Sequence, residues 1–213
     1  MPYMIPDGLM RIDSTIADYD ILQNAKERRV YLTYVISAFD DEECQEGNVS
    51  HIGQIVKFIF DCNREDKELP VAERKPIKIY INSPGGDLNE GFPLISAIEL
   101  SKTPVYTINI GQWSSMSFYI GITGHKRFSL PYMTFLLHDG SSGAFGSANK
   151  VQDRVKFEER FESEVVKAHV LRHGKMSSGE YDALARVEYY MLPKDALRHG
   201  FIDEIVTDID KIL

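Results

Sequence analysis

Residues 77–87 read Ile77-Lys78-Ile79-Tyr80-Ile81-Asn82-Ser83-Pro84-Gly85-Gly86-Asp87. The β-branched and aromatic run predicts a strand at 77–81, and the Asn-Ser-Pro-Gly-Gly-Asp segment ends it in a turn. Two adjacent glycines after a strand permit positive φ and let a ligand approach the backbone closely. Exposed amides there can hold a developing oxyanion. Taken alone, the dipeptide is better read as a tight turn without a ligand. It is not a phosphate loop, because no Gly-Lys-Ser/Thr follows at the required spacing, and Gly174-Lys175-Met176 fails the same test.

Outward from this stretch, strands and helices alternate. Upstream, residues 29–36 read as a strand, the acidic run 40–46 as a helix opening, and Ile52, Ile55, Val56, Ile59 and Phe60 recur at helical spacing. A charged loop with two prolines covers 63–76. Downstream come a helix over 92–100, a strand at 105–110, and a helix beginning at Ser115 after Gly111. Short strands follow at 128–130 and 134–137. Residues 140–147 form a Gly/Ser-rich hairpin or loop. A long polar helix over about 149–172 has Val151, Val155, Phe157, Phe161, Val165, Val166 and Val170 as buried positions. Short helices near 178–185 and 193–199 and a strand around 202–206 complete the chain. The alternation predicts an α/β architecture with substantial parallel pairing. In such folds sites collect at the carboxyl ends of strands, which singles out the loops Ser83–Gly86 and Gly111–Met116.

The 213 residues suffice for one ordinary domain, or two small ones, with a sizeable core. A net charge of −8, from 24 basic and 32 acidic side chains, disfavours a duplex-binding surface. Two cysteines, Cys44 and Cys62, exclude a disulfide framework and a four-cysteine zinc site, and read as free thiols in a reducing compartment. No stretch is apolar enough for a membrane span, and MPYMIPDGLM lacks a secretory pattern. The expectation is a cytoplasmic protein with no membrane and no nucleic-acid partner.

Gly111-Gln112-Trp113-Ser114-Ser115-Met116-Ser117 puts a serine at a strand-to-helix turn, where following N–H groups favour a negative tetrahedral intermediate. Helix capping by serine is the common alternative, and by itself the segment favours it. A nucleophilic serine needs a base. His138 follows the apolar strand 134–137 and so emerges semi-buried from it; His51, His125, His169, His173 and His199 lie in charged or helical surroundings and read as surface residues. No His-Glu-x-x-His pattern supports a zinc peptidase. A third group would orient the histidine, and Asp139, Asp182, Glu188, Asp195 and Asp203 are all open choices.

Taken in order, Ile79-Tyr80-Ile81-Asn82-Ser83-Pro84-Gly85-Gly86, Gly111-Gln112-Trp113-Ser114-Ser115-Met116, Leu137-His138 and Gly200-Phe201-Ile202-Asp203 closely resemble the Clp protease proteolytic subunit (ClpP) family, over roughly residues 18–207. The resemblance implies a ClpP/crotonase-like α/β fold, a spiral of ββα units with a protruding handle helix. It implies an N-terminal arm over 1–28 and a protease domain over 29–213, with the handle at about 140–172. Ser115 falls on the family's nucleophile, His138 on its general base, and the backbone amides of Gly86 and Met116 on its oxyanion hole. Counting back from Gly200-Phe201-Ile202-Asp203 puts Glu188 at the third triad position, where the family usually has Asp; counting forward from His173-Gly174-Lys175 lands on Val187.

The family is a serine endopeptidase without metal or organic cofactor. It cleaves unfolded polypeptides inside heptameric rings stacked as a tetradecamer and fed by a separate AAA+ unfoldase chaperone. Departures mark a divergent member. Val187 replaces an arginine that couples the rings, Trp113 replaces a small residue beside the nucleophile and either narrows the pocket or packs against a neighbour, and Ser117 replaces a glycine-like position. Asp139-Gly140 replaces Gln-Pro, and 63–76 is longer than usual. Two readings follow: an active peptidase, and a non-catalytic ring subunit with a structural or partner-docking role. Crotonase-like acyl-CoA chemistry shares the oxyanion logic but not the Ser–His pair.

Overall fold

A computed structural model describes residues 24–37, 50–141 and 143–213. Most of the expected arm over 1–28, the acidic helix opening at 40–46 and Cys44 lie outside the described residues. Among the described residues seven strands form one sheet: β1 (Arg29–Leu32), β2 (Ile77–Ser83), β3 (Val105–Ser114), β4 (Lys126–Ser129), β5 (Thr134–Leu137), β6 (Tyr189–Met191) and β7 (Glu204–Ile205). The order is β1-β2-β3-β4-β7, all parallel. β5 joins the far end of β3 in parallel, and β6 pairs antiparallel with β5. Among the described residues the helices that follow β1 are α1 (His51–Glu65), α2 (Leu88–Leu100), α3 (Met116–Ile122), α4 (Ala148–Phe161), α5 (Lys167–His173), α6 (Ser178–Leu184) and α7 (Pro193–Arg198). This is the mixed α/β, parallel-dominated arrangement that the alternating pattern predicts.

Both faces of the central strands are covered, which is why they read as near-continuous apolar runs. Ile77, Ile79 and Ile81 point into the main core with Ile55 and Ile59 of α1 and Leu94, Ile95 and Ile98 of α2. Tyr80 and Ile108 face the other side, with Phe128, Val206 and Ile212. Ser50 caps α1 by accepting from Gly53 N–H at 3.2 Å, and Asp87 caps α2 by accepting from Asn89 N–H at 2.6 Å. Behind the sheet edge, Arg28 grips buried Asp66 through both guanidinium nitrogens at 2.6 and 2.8 Å, and Thr103 Oγ1 donates to the same carboxylate at 2.8 Å.

β3 runs further than its apolar core suggests. Residues 105–109 pair with β2, residues 106–109 with β4, and residues 112–114 with β5. Between them the β2–β3 register jumps from Ile81↔Asn109 to Ser83↔Trp113, so β3 carries an irregularity at Ile110–Gln112. Two asparagines hold it: Asn109 Oδ1 accepts from Gly111 N–H at 3.0 Å, and Asn82 Oδ1 accepts from Gln112 N–H at 3.2 Å. Such an irregularity re-aims a strand and lets it serve two layers. Here it delivers Ser114 and Ser115 beside β5.

Several expectations need correction. The strand expected over 29–36 is β1 at 29–32, and beyond it Ile36 makes only an isolated parallel bridge to Gly86. The long helix is α4 and α5 joined by a π-turn at Glu162–Val166. α4 buries no residue, and Val155 and Phe157 are exposed, because this half projects past the sheet; packing begins where Phe161 meets Phe92 edge-on at 5.2 Å. His169 and His199 are buried rather than at the surface, since each ring has a polar partner inside: Tyr119 O and Thr123 Oγ1 for His169, the Tyr189 hydroxyl for His199. Among the described residues, no helix is long and apolar enough to cross a membrane.

Candidate active site

Ser115 stands between the end of β3 and the start of α3, with φ 55° and ψ −126°. For a residue with a Cβ this left-handed backbone is strained, and it persists only where surrounding contacts hold it. Those contacts are visible. Ser115 N–H donates to Leu136 O on β5 at 3.1 Å, and Ser115 O accepts from Phe118 N–H at 2.9 Å. The Ser115 side chain does not cap α3, which removes the bland reading of this serine.

Ser117 braces the turn from inside. Its buried hydroxyl accepts from Ser114 N–H at 2.8 Å and lies 2.6 Å from Ser83 O and 2.9 Å from Ser114 O. One side chain thus ties the end of β2, which leads to the glycines, to the end of β3, which leads to Ser115. Trp113 is fully buried against Phe135, with ring centroids 5.4 Å apart and an angle of 83°. It packs against neighbours rather than lining the site.

Of the two glycines, Gly85 lies against this turn and Gly86 against Ile36. Gly85 has φ +92°, and a Cβ there would stand 2.4 Å from Ser114 O and 2.7 Å from Ser115 Cβ. Gly86 has φ +146°, and a Cβ would stand 1.9 Å from Ile36 O. Ile36 N–H donates to Gly85 O at 2.8 Å, and Asp87 N–H donates to Ile36 O at 2.7 Å. These bonds use the groups on either side of Gly86 and leave its own N–H without a hydrogen bond among the described residues. Met116, the first residue of α3, likewise has a free N–H, as helix geometry requires.

His138 follows β5 by one residue. Its carbonyl accepts from the buried Tyr119 hydroxyl at 2.9 Å, so α3 holds both Ser115 and the backbone of His138. Burial drives the Tyr119 hydroxyl pKa far upward, so it remains a donor throughout the working range. His138 Nε2 is buried and has no hydrogen-bond partner among the described residues. An orphaned buried ring nitrogen is uncommon and marks a place where a proton or ligand can arrive. No hydrogen bond joins it to Ser115 Oγ among the described residues; catalytic contacts are often loose without substrate.

The β5–β6 register pairs Phe135 with Met191, Leu136 with Tyr190 and Leu137 with Tyr189 and ends there, so His138 directly follows the last residue of β5 and Glu188 directly precedes the first of β6. The Glu188 carboxylate is exposed and accepts from the Tyr190 hydroxyl at 2.8 Å, and among the described residues no bond joins it to His138. Asp139 N–H donates to Ala185 O at 2.8 Å, fixing the segment just upstream of Glu188 beside the end of β5. Asp182 instead pairs with Lys167, Asp195 with Arg198 and Asp203 with Arg127.

The geometry therefore gathers a strained serine, an orphaned imidazole nitrogen and two free amides from three strand ends. Such a set can carry acyl transfer: attack by a hydroxyl, proton uptake by a ring nitrogen, and stabilisation of an oxyanion. Sequence reasoning missed the bracing by Ser117 and Tyr119. The helical register that would place Tyr119 one turn past Ser115 was available, but nothing in it names a carbonyl partner. A family model described as Clp protease matches residues 69–208.

Proposed function

Because the chain belongs to the Clp protease family, we propose that it is a serine endopeptidase that cleaves unfolded polypeptides, with Ser115 as nucleophile. His138 takes the Ser115 proton through Nε2 as Ser115 Oγ attacks the peptide carbonyl. The amides of Gly86 and Met116 stabilise the oxyanion, His138 returns its proton to the leaving amine, and water releases the acyl-enzyme. Glu188 orients His138 after its side chain turns from Tyr190, a rotation open to an exposed carboxylate. No metal or organic cofactor enters this chemistry.

The observation that carries the reading is the strained Ser115 turn, held against β5 by Leu136 O and so close to Gly85 that a Cβ there would clash with it, with orphaned His138 Nε2 beyond the same strand. We further propose the family's assembly: an arm at 1–28, a domain at 29–213, and heptameric rings stacked through the α4 handle, in a cytoplasmic complex with a AAA+ unfoldase. Exposed Phe145, Val155 and Phe157 support burial of that handle against another copy. A non-catalytic ring subunit is the second reading, favoured by the engagement of Glu188 with Tyr190.

The test is hydrolysis of a short fluorogenic peptide by the purified chain, with Ser115→Ala and Glu188→Ala beside it and particle size measured on the same samples. Turnover that Ser115→Ala abolishes is expected, with a large loss in Glu188→Ala. An assembled ring without turnover would favour the non-catalytic reading.

A further inference from the structure

Away from Ser115, Glu99 near the end of α2 meets His169 and His173, one turn apart on α5. Glu99 Oε1 lies 3.0 Å from His173 Nε2 and 3.6 Å from His169 Nδ1. All three ligand atoms fall within 4.8 Å of one another. Ligand atoms around a tetrahedral zinc ion, each about 2.0–2.1 Å from it, stand roughly 3.3 Å apart. Two of the three edges already match that spacing.

The protonation pattern fits as well. His169 Nε2 faces two acceptors, Tyr119 O at 3.0 Å and Thr123 Oγ1 at 3.2 Å. The Thr123 proton is committed to Tyr119 O at 2.7 Å, so the hydroxyl can only accept from the ring. Nε2 therefore carries the hydrogen, and Nδ1 presents its lone pair toward Glu99. A ligating histidine characteristically gives its other N–H to a backbone carbonyl, which fixes the ring and raises its basicity. The end of α5 is fixed too, because Arg127 donates to His173 O at 2.6 Å.

We propose that Glu99, His169 and His173 form a zinc-binding site, with the fourth position open to water. Two imidazoles and one carboxylate suit zinc and similar borderline ions better than calcium or magnesium, which take mainly oxygen. On one side the cluster adjoins, through His173, a cleft of about 590 Å³ that Arg172, Thr123, His125 and Asp203 also line; Glu99 and His169 do not line it. Arg172 approaches Glu99 Oε1 at 3.1 Å, but its side chain is 61% exposed. An exposed pair of this kind is weakly held and swings into solvent when a cation takes the carboxylate. Bound zinc would join α2 to α5 and, through the His169 ring, to the Tyr119 carbonyl on α3.

The proposal stands independently of the peptidase reading. Its test is calorimetric titration of Zn²⁺ into the untagged, chelator-stripped full-length chain, with Co²⁺ absorption as the geometry probe. One ion per chain and four-coordinate cobalt bands are expected. Glu99→Gln and His173→Ala, both at the rim of the cluster, should each weaken binding by at least the roughly 10–100-fold that follows loss of an outer partner. Each variant's melting curve without metal checks that it is folded, so one folded variant suffices. Absence of saturable binding, or binding that a folded variant retains at full affinity, overturns the site.

Discussion

Ser117→Ala removes one oxygen from a buried position and should damage the Ser115 turn more than its size suggests. The hydroxyl contacts Ser114 N–H, Ser83 O and Ser114 O between 2.6 and 2.9 Å. Ser83 and Ser117 are fully buried and Ser114 nearly so, so water does not readily replace it. Loss of a buried partner costs roughly 1–3 kcal/mol. At this chain length each kcal/mol lowers Tm by roughly 2–4 °C. The same loss frees the ends of β2 and β3 to shift, and misplacement by about 1 Å costs roughly 10²-fold in rate. The assay pairs thermal melts with kcat/KM for a fluorogenic peptide well below both transitions, and uses Ser96→Ala as control. Ser96 makes a single bond to Phe92 O at 3.0 Å on the exposed side of α2, so its loss should leave activity unchanged. Ser117→Ala with a lowered Tm but wild-type kcat/KM would refute the bracing role; an unchanged Tm would refute the packing argument itself.

Tyr119→Phe deletes the donor to His138 O while keeping the ring, so kcat should fall roughly tenfold, the worth of one net hydrogen bond, with KM little changed; equal kcat would remove Tyr119 from the site. Acid stability should depend on Asp66, whose carboxyl the Arg28 guanidinium holds below its ordinary 3.8 through their hydrogen bonds, with Thr103 adding to the effect against the opposing pull of burial. A depressed carboxyl contributes stability that is complete above about pH 4 and fades as pH falls through the folded-state value. Asp66→Asn should therefore lower Tm at neutral pH and flatten the decline toward pH 3, and parallel Tm–pH curves would contradict this. Cys62 is buried, and burial pushes its thiol up to about 11, so iodoacetamide at pH 8 should modify the peptide carrying it only after unfolding. Rapid modification of native protein would show that the α1 packing is wrong.

Much of the frame was legible because buried parallel strands leave a strong mark. The runs at 77–81, 105–110 and 134–137 each became a strand, and the two loops chosen by strand-end logic are the two that meet at Ser115. The continuation of β3 through Gly111-Gln112-Trp113-Ser114 was not legible, because its pairing rests on Asn82 and Asn109 side chains rather than on apolar alternation. Burial of His169 was hidden for a similar reason: the neighbouring sequence is charged, and its partner is a carbonyl 50 residues away on α3. Helical spacing found the packed half of the 148–173 helix but assigned buried positions to its free half, because periodicity reports a face and not what covers it. Glu188 is intermediate. Counting points to it, and it stands one residue before β6 as His138 stands one residue after β5, yet side-chain direction is invisible to counting.

The most direct test of the Ser115–His138 assignment is covalent labelling of the assembled, full-length protein with a fluorophosphonate, followed by peptide mapping. Such a reagent reacts with a serine whose proton a base removes and whose oxyanion is stabilised nearby. The account predicts one label per chain on the peptide bearing Ser115, lost in His138→Ala and strongly slowed in Gly86→Ala. Folded protein in which Ser115 stays unlabelled, or is labelled equally in His138→Ala, would contradict it.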